Sequence, residues 1–187
     1  RTTKGMPAEI TLVEDGPACS TACVRWDNWQ VPSNRGDDES VPMPITSYLT
    51  LYPGVKRVDI FTEVENHAHN HFLRQAFPVP VKINTFAAGE QFGMQQLPVW
   101  DAENPPKKAW SEETYPHHDW ADVSDGKKGL AILTRGTPVI SVYPDGDGTR
   151  IMFPLFRAAG SNSDDARWSI PRDRFSSAAR ATGAQLQ

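Results

Sequence analysis

Proline and glycine interrupt this chain so often that no long regular element fits between them. Sixteen prolines and thirteen glycines are spread over 187 residues, and turn residues at such spacing mark many short strands. The runs between them confirm the period. Ile45, Ser47, Leu49 and Leu51 alternate with Thr46, Tyr48, Thr50 and Tyr52, and a period of two is that of a half-buried strand. Pro53-Gly54 turns the chain. Val58, Ile60, Thr62 and Val64 then share one side, with Arg57, Asp59, Glu63 and Glu65 on the other. The expected fold class is all-β, an antiparallel β-sandwich.

Three other stretches read as hairpins. Ile10 and Leu12 alternate with polar residues, Glu14-Asp15-Gly16-Pro17 turns, and Ala18 to Trp26 returns. From Tyr115 to Gly136, Trp120 and Val123 lie in a short apolar run and Leu130-Ala131-Ile132-Leu133 in a second. Ser124-Asp125-Gly126 between them is turn chemistry, since glycine takes positive φ freely and aspartate bonds its own backbone. Val139 to Tyr143 and Arg150 to Arg157 flank Pro144-Asp145-Gly146-Asp147-Gly148, which reads as a long glycine-rich turn. The polar, proline-flanked stretch from Asn28 to Pro44, with its charge run Asp37-Asp38-Glu39, reads as a solvated loop, and Asp101 to Thr114 as a linker.

Composition removes several function classes. A net charge of −4 lacks the basic footprint of a nucleic-acid binder. No apolar run approaches the ~20 residues of a membrane-spanning helix, so neither nucleic acid nor membrane is an expected partner. The start, Arg1-Thr2-Thr3-Lys4-Gly5, has no apolar h-region and no initiator methionine, which reads as a piece of something longer. Cys19 and Cys23 on one strand would stand ~13 Å apart at ~3.3 Å per residue. A disulfide tolerates at most ~7 Å between Cα atoms. Two buried free thiols are expected, and with them a reducing compartment, the cytoplasm.

Motifs along most of the chain resemble the C-terminal β-domain of glycoside hydrolase family 38, the α-mannosidases and mannosylglycerate hydrolases. "ADVSDGKKGLAILTRGTP" (121–138) resembles the family's "VDVSDG-x-x-GLA-x-L-x-x-G-x-P". "LYPGVKRVDIFTEVEN" (51–66) resembles "LYxGxxRVDFxTEVDN", "VEDGPA" (13–18) the family's entry hairpin, and "LFRAAG" (155–160) its "LLRAVG". From Asn66 to Pro78 the family pattern is matched by Asn66, His71, Leu73, Arg74, Phe77 and Pro78. Asn70 and Phe72 depart from it, and the arginine of the family's "SxFGxxxRP" is missing near Phe92. The resemblance implies a supersandwich of the galactose mutarotase-like type over residues 1–160. An irregular tail, residues 161–187, would lead to strands that are not in the sequence.

The same resemblance implies the function: a C-terminal accessory domain of an enzyme that cleaves α-mannosides with retention and holds mannose with zinc. Its partners would be an N-terminal catalytic domain of the same polypeptide and the α-mannoside, with homo-oligomerisation a further expectation. Nucleophile, acid/base and zinc ligands belong to the N-terminal half, so this segment is expected to carry no catalytic residue and no metal of its own. Arg157, through the alignment of "LxRAxG", and the following Asp164 and Asp165 are the residues implied to approach the sugar.

Residue chemistry alone offers sharper alternatives. His67, His69 and His71 on one strand would face one side ~6.5 Å apart, and three imidazoles could bind zinc with an open fourth position. His117 and His118 would point oppositely, toward solvent or an interface. Retaining glycosidases need two carboxyls ~5–5.5 Å apart, which makes Asp119, Asp122, Asp125, Asp164 and Asp165 formal candidates, although acidic residues are common in β-turns. Asp145 and Asp147 suggest a calcium loop but lack its fuller acidic set. Trp26, Trp29, Trp100, Trp110, Trp120 and Trp168 could stack on a pyranose or be buried. The alternative function is therefore a stand-alone carbohydrate- or metal-binding β-domain, using that histidine strand or surface tryptophans.

Overall fold

The computed structural model of the chain describes residues 2–32, 40–68, 71–101 and 114–158. Every regular element in them is a strand, and every strand pairing given by register is antiparallel. The expected all-β antiparallel class is what the chain adopts. The chain divides into two compact units. Among the described residues the first runs to Leu73 and takes up 156–158; the second is Arg74–Leu155.

The first unit holds β1 (Glu9–Asp15), β2 (Ser20–Trp26), β5 (Ile45–Leu51) and β6 (Val58–Val64) in the sheet order β1-β2-β5-β6. β5 and β6 are the hairpin read from alternation, in register from Ile45↔Val64 to Leu51↔Val58. At its turn the Val55 amide donates to the Tyr52 carbonyl at 3.2 Å, and Gly54 sits at φ 75°. Proline then glycine with positive φ is the type II pattern. Hydroxyls tie the strands together: Ser47 to Thr62 at 3.0 Å and Thr21 to Thr50 at 3.0 Å.

The stretch Asn28–Pro44 departs from the expected loop. It forms a ribbon of β3 (Gln30–Pro32) and β4 (Ser40–Pro42), and Trp29, Val31 and Met43 are buried in the core. The Met43 amide donates to the Trp29 carbonyl at 2.8 Å. Each apolar residue is isolated among polar neighbours, so the average polarity of the segment hid a short run at period two. The charge run Asp37-Asp38-Glu39 lies outside the described residues.

The second unit is a two-layer sandwich. One layer is ordered β12-β11-β8-β9, from β8 (Thr85–Glu90), β9 (Gly93–Pro98), β11 (Trp120–Ser124) and β12 (Gly129–Leu133). The other is ordered β10-β13-β14-β7, from β7 (His71–Val79), β10 (Tyr115–Pro116), β13 (Val139–Asp145) and β14 (Gly148–Ala158). Phe86 of the first layer meets Tyr115 of the second edge-on, with ring centroids 5.7 Å apart. Ala88, Ala121, Val123, Ile140, Val142 and Ile151 around them are fully buried.

The Ser-Asp-Gly turn closes β11 onto β12 as its residues suggest. The Asp125 carboxylate accepts the Lys127 and Lys128 amides, both at 2.8 Å. These two backbone donors hold its pKa below the ordinary value. The β13–β14 connection is shorter than expected. Asp145 pairs with Gly148, leaving only Gly146 and Asp147 in the turn, with Gly146 at φ 59°.

Candidate functional site

The three-histidine strand does not form. The Asn66 side chain accepts the Ala68 amide at 3.1 Å, a local turn that keeps 65–68 out of any ladder. β7 therefore begins only at His71. His67 is half-exposed, with Nε2 3.9 Å from a Glu65 carboxylate oxygen. His71 is partly buried and meets Phe156 edge-on, with ring centroids 5.2 Å apart. His69 lies outside the described residues. Among the described residues no three His, Cys, Asp or Glu side chains come together to hold a metal. They do not fit a zinc ion.

The adjacent histidines also part company. His118 is exposed, with Nδ1 3.1 Å from Asp119. His117, expected at solvent or an interface, is only 7% exposed. It packs its ring against Phe153 at 5.3 Å and bonds Thr134 Oγ1 at 3.1 Å. Burial pushes its pKa down to about 4, against a smaller opposing pull from Asp119. The chain bends at His118 and Asp119, where Asp119 takes φ 63°, so the strict alternation of a strand does not apply.

The carboxylates do not gather into a group that could hold a metal among the described residues. Asp125 closes a turn as described. Asp145 is held by Arg150 through bonds of 2.6 and 3.1 Å, which uses it as a hairpin clamp rather than a calcium ligand. Asp122 lies in β11 opposite Ala131 and Ala87. Asp164 and Asp165 lie outside the described residues, as does the whole tail from 159 onward.

Arg157 stands near the end of β14, exposed, with its guanidinium carbon 6.0 Å from the centre of the Phe72 ring. A cation over an aromatic face is attracted by the ring quadrupole. Phe72 is itself 39% exposed. In the sequence Phe72 stands only as a departure from the family pattern. Its position beside an arginine 85 residues later is not a local signal.

Of the tryptophans, Trp29 is core, while Trp26, Trp100 and Trp120 are half-buried. Trp110 and Trp168 lie outside the described residues. Trp120 lies across Gly89, where a Cβ would come within 2.8 Å of the indole nitrogen, so its ring is engaged within the sandwich. Cys19 and Cys23 are free thiols, as expected, but half-buried rather than buried. Cys19 lies in the turn before β2, where its carbonyl accepts the Gly16 amide at 2.9 Å. A hydrogen bond with Glu14 raises its thiol pKa.

Comparison with known proteins places this arrangement. Residues 1–167 match the family described as glycosyl hydrolases family 38 C-terminal domain. The chain is 23% identical over 192 aligned residues to a protein of Halalkalibacterium halodurans named "Putative mannosylglycerate hydrolase". That match covers 91% of this chain and 20% of that protein. An "Alpha-mannosidase" of Saccharomyces cerevisiae is 38% identical over 86 residues, 42% of this chain and 7% of that protein. Two solved structures from Enterococcus faecalis share the fold at 20% identity. One is described as an alpha-mannosidase, with a TM-score of 0.72 over 84% of this chain and 19% of that one. The other is described as a protein in glycosyl hydrolase family 38, with a TM-score of 0.75 over 98% and 22%. The chain thus spans about a fifth or less of each relative. It belongs to the glycosyl hydrolase family 38 C-terminal domains, the β-rich domain of α-mannosidase-type proteins.

Proposed function

We propose that this chain is the accessory β-domain of a glycosidase that cleaves α-mannosides, with the reacting carboxylates and a zinc ion held by a preceding catalytic domain of the same polypeptide. The observation that carries this reading is the family match over residues 1–167, in relatives whose length is several times that of the chain. The use of Asp125 as a turn-closing acceptor accords with it.

Arg157 is our residue for contact with the sugar, together with Asp164 and Asp165. Its support is an exposed guanidinium braced over the Phe72 ring. The free thiols Cys19 and Cys23 accord with a cytoplasmic setting.

The test is hydrolysis of p-nitrophenyl α-mannoside by the 187-residue chain and by the full-length polypeptide, each with and without zinc. The expected result is a silent chain beside an active, zinc-dependent polypeptide. Turnover by the chain alone overturns the reading. Zinc or sugar binding by the chain alone, read by calorimetry, would favour a stand-alone binding domain. Arg157→Ala in the full-length polypeptide is expected to lower kcat/KM about tenfold, the loss of one charge-assisted hydrogen bond.

A further inference from the structure

In a sheet, directly opposed residues point to the same face. Register therefore groups Ile10 and Leu12 of β1 with Leu49 and Leu51 of β5 and with Val58 and Ile60 of β6, through their partners on β2. Ile45, Ser47, Thr62 and Val64 lie on this same face and are buried. The face is thus covered toward Ile45 and Val64 and open toward the β5–β6 turn and the β1 edge. There Ile10 is 69% exposed, Leu12 61%, Leu51 53% and Val58 41%.

The opposite face carries Glu9, Thr11, Arg25, Thr46, Asp59 and Glu63 together with Cys23, Tyr48 and Phe61. An antiparallel sheet with one wet face keeps its apolar face covered. An open apolar patch spread over several strands marks an interaction site.

We propose that the open half of this face docks the part of the full-length polypeptide that precedes this domain, an inference that rests on the reading under Proposed function. Two observations favour that occupant. The family is a C-terminal domain, and the Halalkalibacterium relative is matched over only 20% of its length, so most of such a polypeptide lies outside this fold. β1 is the first strand among the described residues, so a preceding domain would join this sheet on a short tether and at high effective concentration. A second copy is disfavoured along the β1 edge: antiparallel pairing about Leu12 would set Glu9 against Asp15 at both ends, and like charges directly opposite destabilise a pair.

The test is hydroxyl-radical footprinting read by mass spectrometry, comparing the 187-residue chain with the full-length polypeptide. Leu12, Leu51 and Val58 are expected to be modified several-fold less in the polypeptide, with Tyr48 and Phe61 on the opposite face unchanged. Equal, strong modification in both overturns the proposal. So does weak modification in both, which would mean that the chain covers the face itself. Protection that appears in the 187-residue chain as its concentration rises would assign the face to a second copy and overturn the proposed occupant. A protected face in a polypeptide without mannosidase activity sinks the functional reading alone; an active polypeptide with an unprotected face sinks the docking alone.

Discussion

His117 Nε2 and Thr134 Oγ1 lie 3.1 Å apart in the interior of the second unit, where each side chain is less than a tenth exposed. Nδ1 of the same ring is also buried and has no hydrogen-bond partner among the described residues. The imidazole is therefore kept neutral, with its pKa near 4 against an ordinary 6.5. For a base whose folded pKa is depressed, the unfolded chain takes up the proton first. The stability it contributes is full above about pH 6.5 and drains away as pH falls toward 4. The melting temperature of the wild-type chain is expected to fall by several degrees between pH 7 and pH 5. His117→Gln should flatten that dependence. An unchanged slope in the variant would show that other groups cause it.

Tyr115 poses the opposite case. Its ring is needed, edge-on to Phe86 at 5.7 Å. Its hydroxyl is buried with no hydrogen-bond partner among the described residues, and burial raises its pKa to about 12. A buried unsatisfied hydroxyl costs roughly 1–3 kcal/mol. Tyr115→Phe is expected to leave stability equal or raised, whereas Tyr115→Ala should cost about 3–5 kcal/mol, as large aromatic truncations do. Urea denaturation measures both. A destabilised phenylalanine variant would mean that the hydroxyl has a partner after all.

Two glycines four residues apart differ in what a methyl group would meet. At Gly89 a Cβ would fall on the His118 carbonyl oxygen and lie 2.8 Å from the Trp120 indole nitrogen. At Gly93 nothing lies within 4 Å. Gly89→Ala is expected to cost about 1–3 kcal/mol or more through overpacking, and Gly93→Ala to stay within ±0.5 kcal/mol, roughly the range of surface changes. Chemical denaturation of the pair checks the contrast. Equal effects would sink the close-approach argument.

Phe92 occupies the two-residue turn between Glu90 and Gly93, fully exposed and at φ 68°. A bulky residue in the left-handed region costs roughly 1–2 kcal/mol, and its exposed ring gains nothing from burial here. Phe92→Gly is expected to raise the melting temperature of the isolated chain. A drop would show that the ring has a role within the fold.

Local pattern settled much of this architecture. The Ile45–Val64 hairpin, the Ser124-Asp125-Gly126 turn and the return of β2 onto β1 all follow from residues within a few positions of one another. Alternation names the two faces of a strand, and proline-glycine or aspartate-glycine chemistry fixes where it reverses. The same logic read His67, His69 and His71 as one strand face. In the structure His67 stands before β7, which begins at His71, and His69 lies outside the described residues.

What alternation cannot say is whether an apolar face is covered. Ile10 and Val64 belong to the same face of one sheet, yet one is 69% exposed and the other 3%. Likewise His117 resembles a surface histidine until Phe153 and Thr134 close over it, and Arg157 acquires Phe72 as a neighbour only once β7 and β14 lie side by side in one sheet. The sequence by itself determined the main hairpins, most of their turns and the family, because those are written at short range. Burial, the neutral histidine and the open apolar face were decided by tertiary structure, because they depend on which distant residues exclude water.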